Sequence, residues 1–229
     1  MMSNLADARS SSRVFRSIVG TVLAPPDAAG LSCSAVYTVK GCASVTSDSG
    51  AIDCSADAFD VLAGELRAHG APLRFVRSAR RAKKDEMQHA RRARRLASSE
   101  RVRRNRNARV PMRTLFEIAL DNTREGCARE TFGALLGWAQ AKGAEDAGVR
   151  AFYSRIARDE TRHASLSWRL HAWLLERLSE GERQTVEKAL EDSLFAVSAD
   201  HSPLDRALGV PDDAACRALA AALRRLARG

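Results

Sequence analysis

The hexapeptide Asp-Glu-x-x-His-Ala occurs twice, as Asp85-Glu86-Met87-Gln88-His89-Ala90 and Asp159-Glu160-Thr161-Arg162-His163-Ala164, at an offset of 74 residues. On an α-helix, residues three apart share a face, so each Glu-x-x-His offers a carboxylate and an imidazole to one centre. Hard oxygens beside imidazole nitrogens suit first-row divalent metals. Two such pairs on different helices, joined by acids from two more, make the carboxylate cage of a dimetal four-helix bundle. A single helical Glu-x-x-His is commonly no more than a hydrogen-bonded surface pair; the duplication carries the metal reading.

The elements that must position these pairs are helices. Hydrophobic residues make up 45% of the 229-residue chain and aromatics only 5%, a balance that favours an all-α fold. Residues 1–50 are rich in Ser, Ala and Gly, contain Pro25-Pro26, and read as a loosely ordered lead-in with room for a short strand at Val36-Tyr37-Thr38-Val39. Phe59, Leu62 and Leu66 set a first helix over about 54–68, which His69-Gly70-Ala71-Pro72 stops. Pro72 opens a second helix running to Ala97, which carries Glu86 and His89. A third covers 113–141, and a fourth, over 147–178, carries Glu160 and His163. Two shorter amphipathic segments, about 181–197 and 212–227, are placed as accessory helices on the outside of the bundle or at a subunit contact. The expected organisation is a lead-in (1–50), an up-down four-helix bundle (51–178) and C-terminal accessory helices (179–229).

The repeat extends beyond the hexapeptide. An offset of 74 places Arg81 on Arg155, Arg95 on Arg169 and Leu96 on Leu170, and an offset of 73 places Phe59 on Phe132. Each half is then a helical hairpin.

These residues, in the stretches GAPLRFVRSARRAKKDEMQHA, REGCARETFGALLGWAQA and VRAFYSRIARDETRHASLSWRL, resemble the ferritin-like superfamily. Within it they are similar to bacterial ferritin-like domain proteins and to the di-iron tRNA hydroxylases, over roughly residues 52–178. The resemblance implies two irons, with manganese as the alternative, held by a carboxylate on the first and third helices and a Glu-x-x-His on the second and fourth. Glu86 and His89 match the second-helix motif, and Glu160 and His163 the fourth. On the third helix Glu125 and Glu130 both qualify; they lie about 140° apart on an ideal α-helix, and Glu125 ranks slightly first. The first helix departs from the pattern, because Ile52 stands at the position equivalent to Glu125. Asp57, equivalent to Glu130, restores an acid, and Asp53 is a weaker candidate.

Three functions follow. The first is an oxidoreductase that uses dioxygen or peroxide and an electron donor, with Glu86 and Glu160 bridging two metals. The second is an RNA-interacting protein: between Arg74 and Arg109 there are fifteen Lys or Arg against Asp85, Glu86 and Glu100, within a net charge of +9. A solvated helix face followed by a basic loop explains the same run, and beyond Phe75 no aromatic interleaves with it to stack bases. The third is a ferritin-like scaffold with a depleted metal site, motivated by Ile52. A homodimer is compatible with each.

Cys33, Cys42, Cys54, Cys127 and Cys216 are scattered and odd in number, which gives neither a zinc site nor a complete disulfide framework and favours a cytoplasmic setting. No apolar run approaches the roughly 20 residues of a transmembrane helix. Residues 13–24, RVFRSIVGTVLA, make a weak export signal that leaves secretion open. Cys127 reads as a small buried thiol, the three tryptophans as core or interface residues, and Asp85 and Asp159 either as orienting partners of a ligand His or as partners of Arg81 and Arg155. His69, His171 and His201 lack an acid at metal spacing.

Overall fold

The computed structural model describes residues 48–97, 111–197, 209 and 211–227. The expected lead-in and strand, the 13–24 segment, the basic loop 101–110 and His201 lie outside the described residues, apart from the last three residues of the lead-in. The fold is all-α, with no strand among the described residues, and no described helix is long and apolar enough to cross a membrane. The chain divides into two compact units, one ending at Thr114 and the other beginning at Leu115.

The first unit is a hairpin of α1 (Asp48–Ala68) and α2 (Leu73–Ala97). Helix α1 begins some six residues earlier than the apolar spacing alone indicates. It ends where glycine is needed: Gly70 has φ 67°, the left-handed conformation that closes a helix cheaply only without a Cβ. The Ala71 N–H then donates to the Leu66 carbonyl (2.8 Å) and the Gly70 N–H to the Arg67 carbonyl (3.2 Å), while Ala71 and Leu66 are both buried. The hairpin core is a stripe of Ala56, Phe59, Ala63 and Leu66 on α1 and of Phe75, Val76, Ala79 and Ala82 on α2. Alanine on both sides of this seam suits close helix approach.

The second unit opens with α3 (Leu115–Asp121), which passes through a nine-residue π-helical segment, Asn122–Glu130, into α4 (Thr131–Gly143). After Ala144–Asp146 the chain reverses into α5 (Ala147–Leu175), started by the Asp146 carboxylate, which accepts the Val149 N–H at 2.8 Å. Ser179 and Glu182 form a reciprocal cap at the start of α6 (Glu180–Ala196). Asp212 caps α7 (Asp213–Ala227) by accepting the Ala215 N–H at 2.7 Å. Residues 131–137 are all buried, because α4 is covered by α5 and also by α6 and α7. Phe132, Leu135 and Leu136 pack with Leu194, Cys216, Ala220 and Leu223. The accessory helices therefore complete the core of the second unit.

Candidate metal centre

Each Glu-x-x-His continues the buried stripe of its own helix. On α2 the stripe Phe75, Val76, Ala79 and Ala82 runs on into Glu86, His89 and Ala90, all buried. On α5 Ala157, Glu160, His163, Ala164 and Ser167 do the same. Placing a carboxylate and an imidazole in such a stripe costs several kcal/mol unless they are paired or hold an ion. In the first unit His89 Nδ1 lies 3.2 Å from Glu86 Oε1. In the second unit His163 Nδ1 lies 3.5 Å from Glu160 Oε2, which repeats that geometry, and 3.6 Å from Glu130 Oε2.

Glu130, the last residue of the π-helical segment, thus makes a group of three with Glu160 and His163. Its Oε2 atom is covered yet accepts no hydrogen bond, and 3.6 Å is too long for one. Burial first, and the negative charge of Glu160 second, push the Glu130 carboxyl well above its ordinary range, with His163 opposing. A divalent cation among these donors would neutralise the carboxylate repulsion and give the covered oxygen a partner. Glu160 and His163, both buried, with the half-buried Glu130 therefore make a donor set that fits a metal ion.

Two indole–hydroxyl bridges fix α4 against α5 on either side of this group. Trp168 Nε1 donates to Thr131 Oγ1 (2.9 Å), and Trp138 Nε1 donates to Thr161 Oγ1 (3.2 Å). Each threonine directly follows a site glutamate, and each tryptophan follows its own helix's threonine by seven residues. The exchange is therefore reciprocal and pins the height of Glu130 relative to Glu160. Both helices carry Glu-Thr-x6-Trp, a signal present in the sequence that the search for ligands passed over.

The π-helical segment is held down separately. Asn122 Nδ2 donates to the Ser167 carbonyl (3.0 Å) and lies 3.5 Å from Cys127 Sγ. A Cβ at Gly126 would stand 2.6 Å from both Asn122 Oδ1 and Ser167 Oγ, so only glycine permits this approach. Cys127 is fully buried, and desolvation pushes its thiol far up, as expected of a packed thiol and not of a ligand.

The other sequence candidates stand elsewhere. Glu125 pairs with Arg129 at 3.0 Å, and its carboxyl is raised by partial burial, with Arg129 opposing. Asp57 is exposed on α1, one residue off the stripe of Ala56, Phe59, Ala63 and Leu66. Ile52 and Asp53 are helical, but their side chains lie outside the described residues. The buried acid of α1 is Glu65, which the ligand search omitted; Arg113 grips it through Nε (3.0 Å), Nη2 (2.8 Å) and its backbone N–H (3.2 Å). His69 Nε2 meets the Arg113 carbonyl at 2.7 Å, so this group serves as a clamp on the segment that follows the basic loop. Asp159 pairs with Arg162 one turn along the same helix. His171 is buried on α5, edge-on to Trp168 with ring centroids 6.2 Å apart. No protein-family model, curated protein or solved structure matches the chain.

Proposed function

We propose that this protein is a dimetal carboxylate protein of ferritin-like type, with Glu86 and His89 serving one ion and Glu130, Glu160 and His163 the other. The observation that carries the reading is the recurrence of one geometry in both repeats. In each, a buried imidazole turns Nδ1 towards the glutamate one helical turn earlier, at 3.2 Å and 3.5 Å. Bound iron would supply electrons for the reduction of dioxygen or peroxide, making the protein an oxidoreductase. The protein's own part is to present deprotonated donors, keep bulk water away by burying them, and hold Glu130 level with Glu160 through the Trp–Thr bridges.

Elemental analysis after anaerobic Fe(II) loading and desalting tests this. About two irons per chain are expected, with loss of both in the His89→Ala, His163→Ala double variant. A folded wild type that retains no iron overturns the reading and leaves the metal-depleted scaffold.

A second reading has its own observation. Arg74, Arg77, Arg80, Arg81, Lys84 and Arg91 are all exposed along α2, a row of cations suited to the phosphates of RNA. RNA binding that weakens steeply with salt, and weakens again in the Arg77→Glu, Arg81→Glu, Lys84→Glu variant, is its expected signature.

A further inference from the structure

Both repeated donor pairs are deeply covered. Glu86 and His89 on α2 are 6% and 3% exposed, and Glu160 and His163 on α5 are 6% and 2% exposed. A hydrated cation does not pass through an interior packed at ordinary protein density, so metal uptake requires part of the molecule to move. The donors are divided between the two compact units, and what the structure decides is which unit moves and about which residue.

The second unit is held as one piece. Helix α4 packs on α5 and also on α6 and α7, where Phe132 and Leu135 meet Leu194 and Leu223. The Trp–Thr bridges and the Asn122–Ser167 bond tie α4 and the π-helical segment to α5. The hairpin of the first unit rests instead on the single seam between α1 and α2, half of it alanine. Its far end is clamped through the backbone. The Arg113 N–H donates to Glu65 Oε1 at 3.2 Å, the Arg113 carbonyl meets His69 Nε2 at 2.7 Å, and the guanidinium grips the same Glu65 carboxylate. The chain therefore belongs to the hairpin up to and including Arg113. Helix α3 starts at Leu115, and the two units divide between Thr114 and Leu115. Thr114 is thus the one residue between a clamped backbone and a helix, the place where a change of φ and ψ turns one unit against the other.

Resting on the dimetal reading above, we infer that the α1–α2 hairpin, with Arg113 clamped to it, is the part that moves to admit metal. It turns as one body about Thr114, and bound metal, with donors in both units, holds it closed. The Glu65–Arg113–His69 cluster is then a positioning device: it confines the turn to one residue, so that Glu86 and His89 come back to the same place each time.

Stopped-flow mixing of the metal-free, full-length protein with excess Zn(II) or Co(II), followed by tryptophan fluorescence, tests this without reference to any activity. When opening must precede binding, the uptake rate rises with metal concentration and then levels off, and the ceiling is the same for both ions because it belongs to the protein. Thr114→Gly, which frees the pivot, should raise that ceiling by about two- to fivefold, and Thr114→Pro, which stiffens it, should lower it by a similar factor, with the amount of metal bound at equilibrium unchanged. A second measurement follows the motion itself. Nitroxides carried on p-acetylphenylalanine in place of the exposed Arg80 on α2 and Glu187 on α6 should give a broad distance distribution without metal and a narrow one with Zn(II). A pair in place of Arg67 and Arg91, both exposed within the hairpin, should give the same narrow distribution in both states. Uptake that stays linear in metal with different slopes for Zn(II) and Co(II), or an Arg80–Glu187 distribution that metal leaves unchanged, overturns the moving hairpin and leaves the dimetal reading standing. Failure of the folded wild type to bind either ion overturns both.

Discussion

Burial decides the chemistry of single residues here. His171 is enclosed on α5, and desolvation lowers its imidazole to about 4 from an ordinary 6.5. The unfolded chain then binds a proton below about pH 6.5 that the native protein refuses until about pH 4, so stability falls with pH through that window. The loss by pH 4 is about 3 kcal/mol. Urea unfolding at pH 7 and pH 4.5 in wild type and His171→Leu checks this. The variant should show a smaller acid loss, and an equal loss in both would show that other groups control the acid limb. The Glu65–Arg113 pair is the contrasting case, because its buried carboxylate is satisfied by three N–H groups of Arg113. Removing only the cation strands the charge, so Arg113→Met should destabilise the protein by about 3 kcal/mol in chemical denaturation.

At the scale of elements, the second unit depends on how closely the π-helical segment and α4 approach α5. Gly126→Ala places a methyl where Asn122 Oδ1 and Ser167 Oγ already stand at 2.6 Å. It is expected to cost about 1–3 kcal/mol, read as a lower denaturation midpoint. Trp168→Phe keeps most of the ring and deletes the bond to Thr131, an expected loss of about 1 kcal/mol. Because Thr131 directly follows Glu130, the same variant should also weaken iron retention after anaerobic loading, whereas a purely structural bridge would leave metal affinity unchanged. The π-helix also explains why the choice between Glu125 and Glu130 was not readable from a helical wheel. Hydrogen bonding from residue i to i+5 rotates the chain less per residue than an α-helix does, so the 140° expected between them does not apply. What separates them is height: Glu130 stands beside Glu160, and Glu125 lies a turn earlier, beside Arg129.

For the molecule as a whole, the accessory helices and the net charge matter most. Leu223 is fully buried against Leu135, Leu136 and their neighbours, so Leu223→Ala should cost about 2–5 kcal/mol by opening a cavity between α7 and α4. Thermal unfolding followed by circular dichroism reads the effect; a change within experimental error would mean that α7 is not part of the cooperative unit. The charge of +9 predicts a linear fall of log K with log salt for any RNA that binds.

The sequence by itself determined the helices. Apolar residues recurring at three and four, with His69-Gly70-Ala71-Pro72 as a stop, marked out six helical stretches, although α1 starts earlier and the third stretch holds a π-helical segment; the caps at Asp146, Ser179 and Asp212 are local and act over a few residues. It also determined that Glu86, His89, Glu160 and His163 share faces with buried apolar residues, because helical periodicity is local. Tertiary structure alone decided which distant groups meet them. It set Glu130 beside His163, turned Asp57 to solvent, gave Glu65 to Arg113, and crossed each Glu-Thr-x6-Trp with the other helix. Those pairings depend on the height of one helix against its neighbour, which close approach at Gly126, a stretch of π-helix and two indole–hydroxyl bonds fix, and which no spacing along a single helix contains.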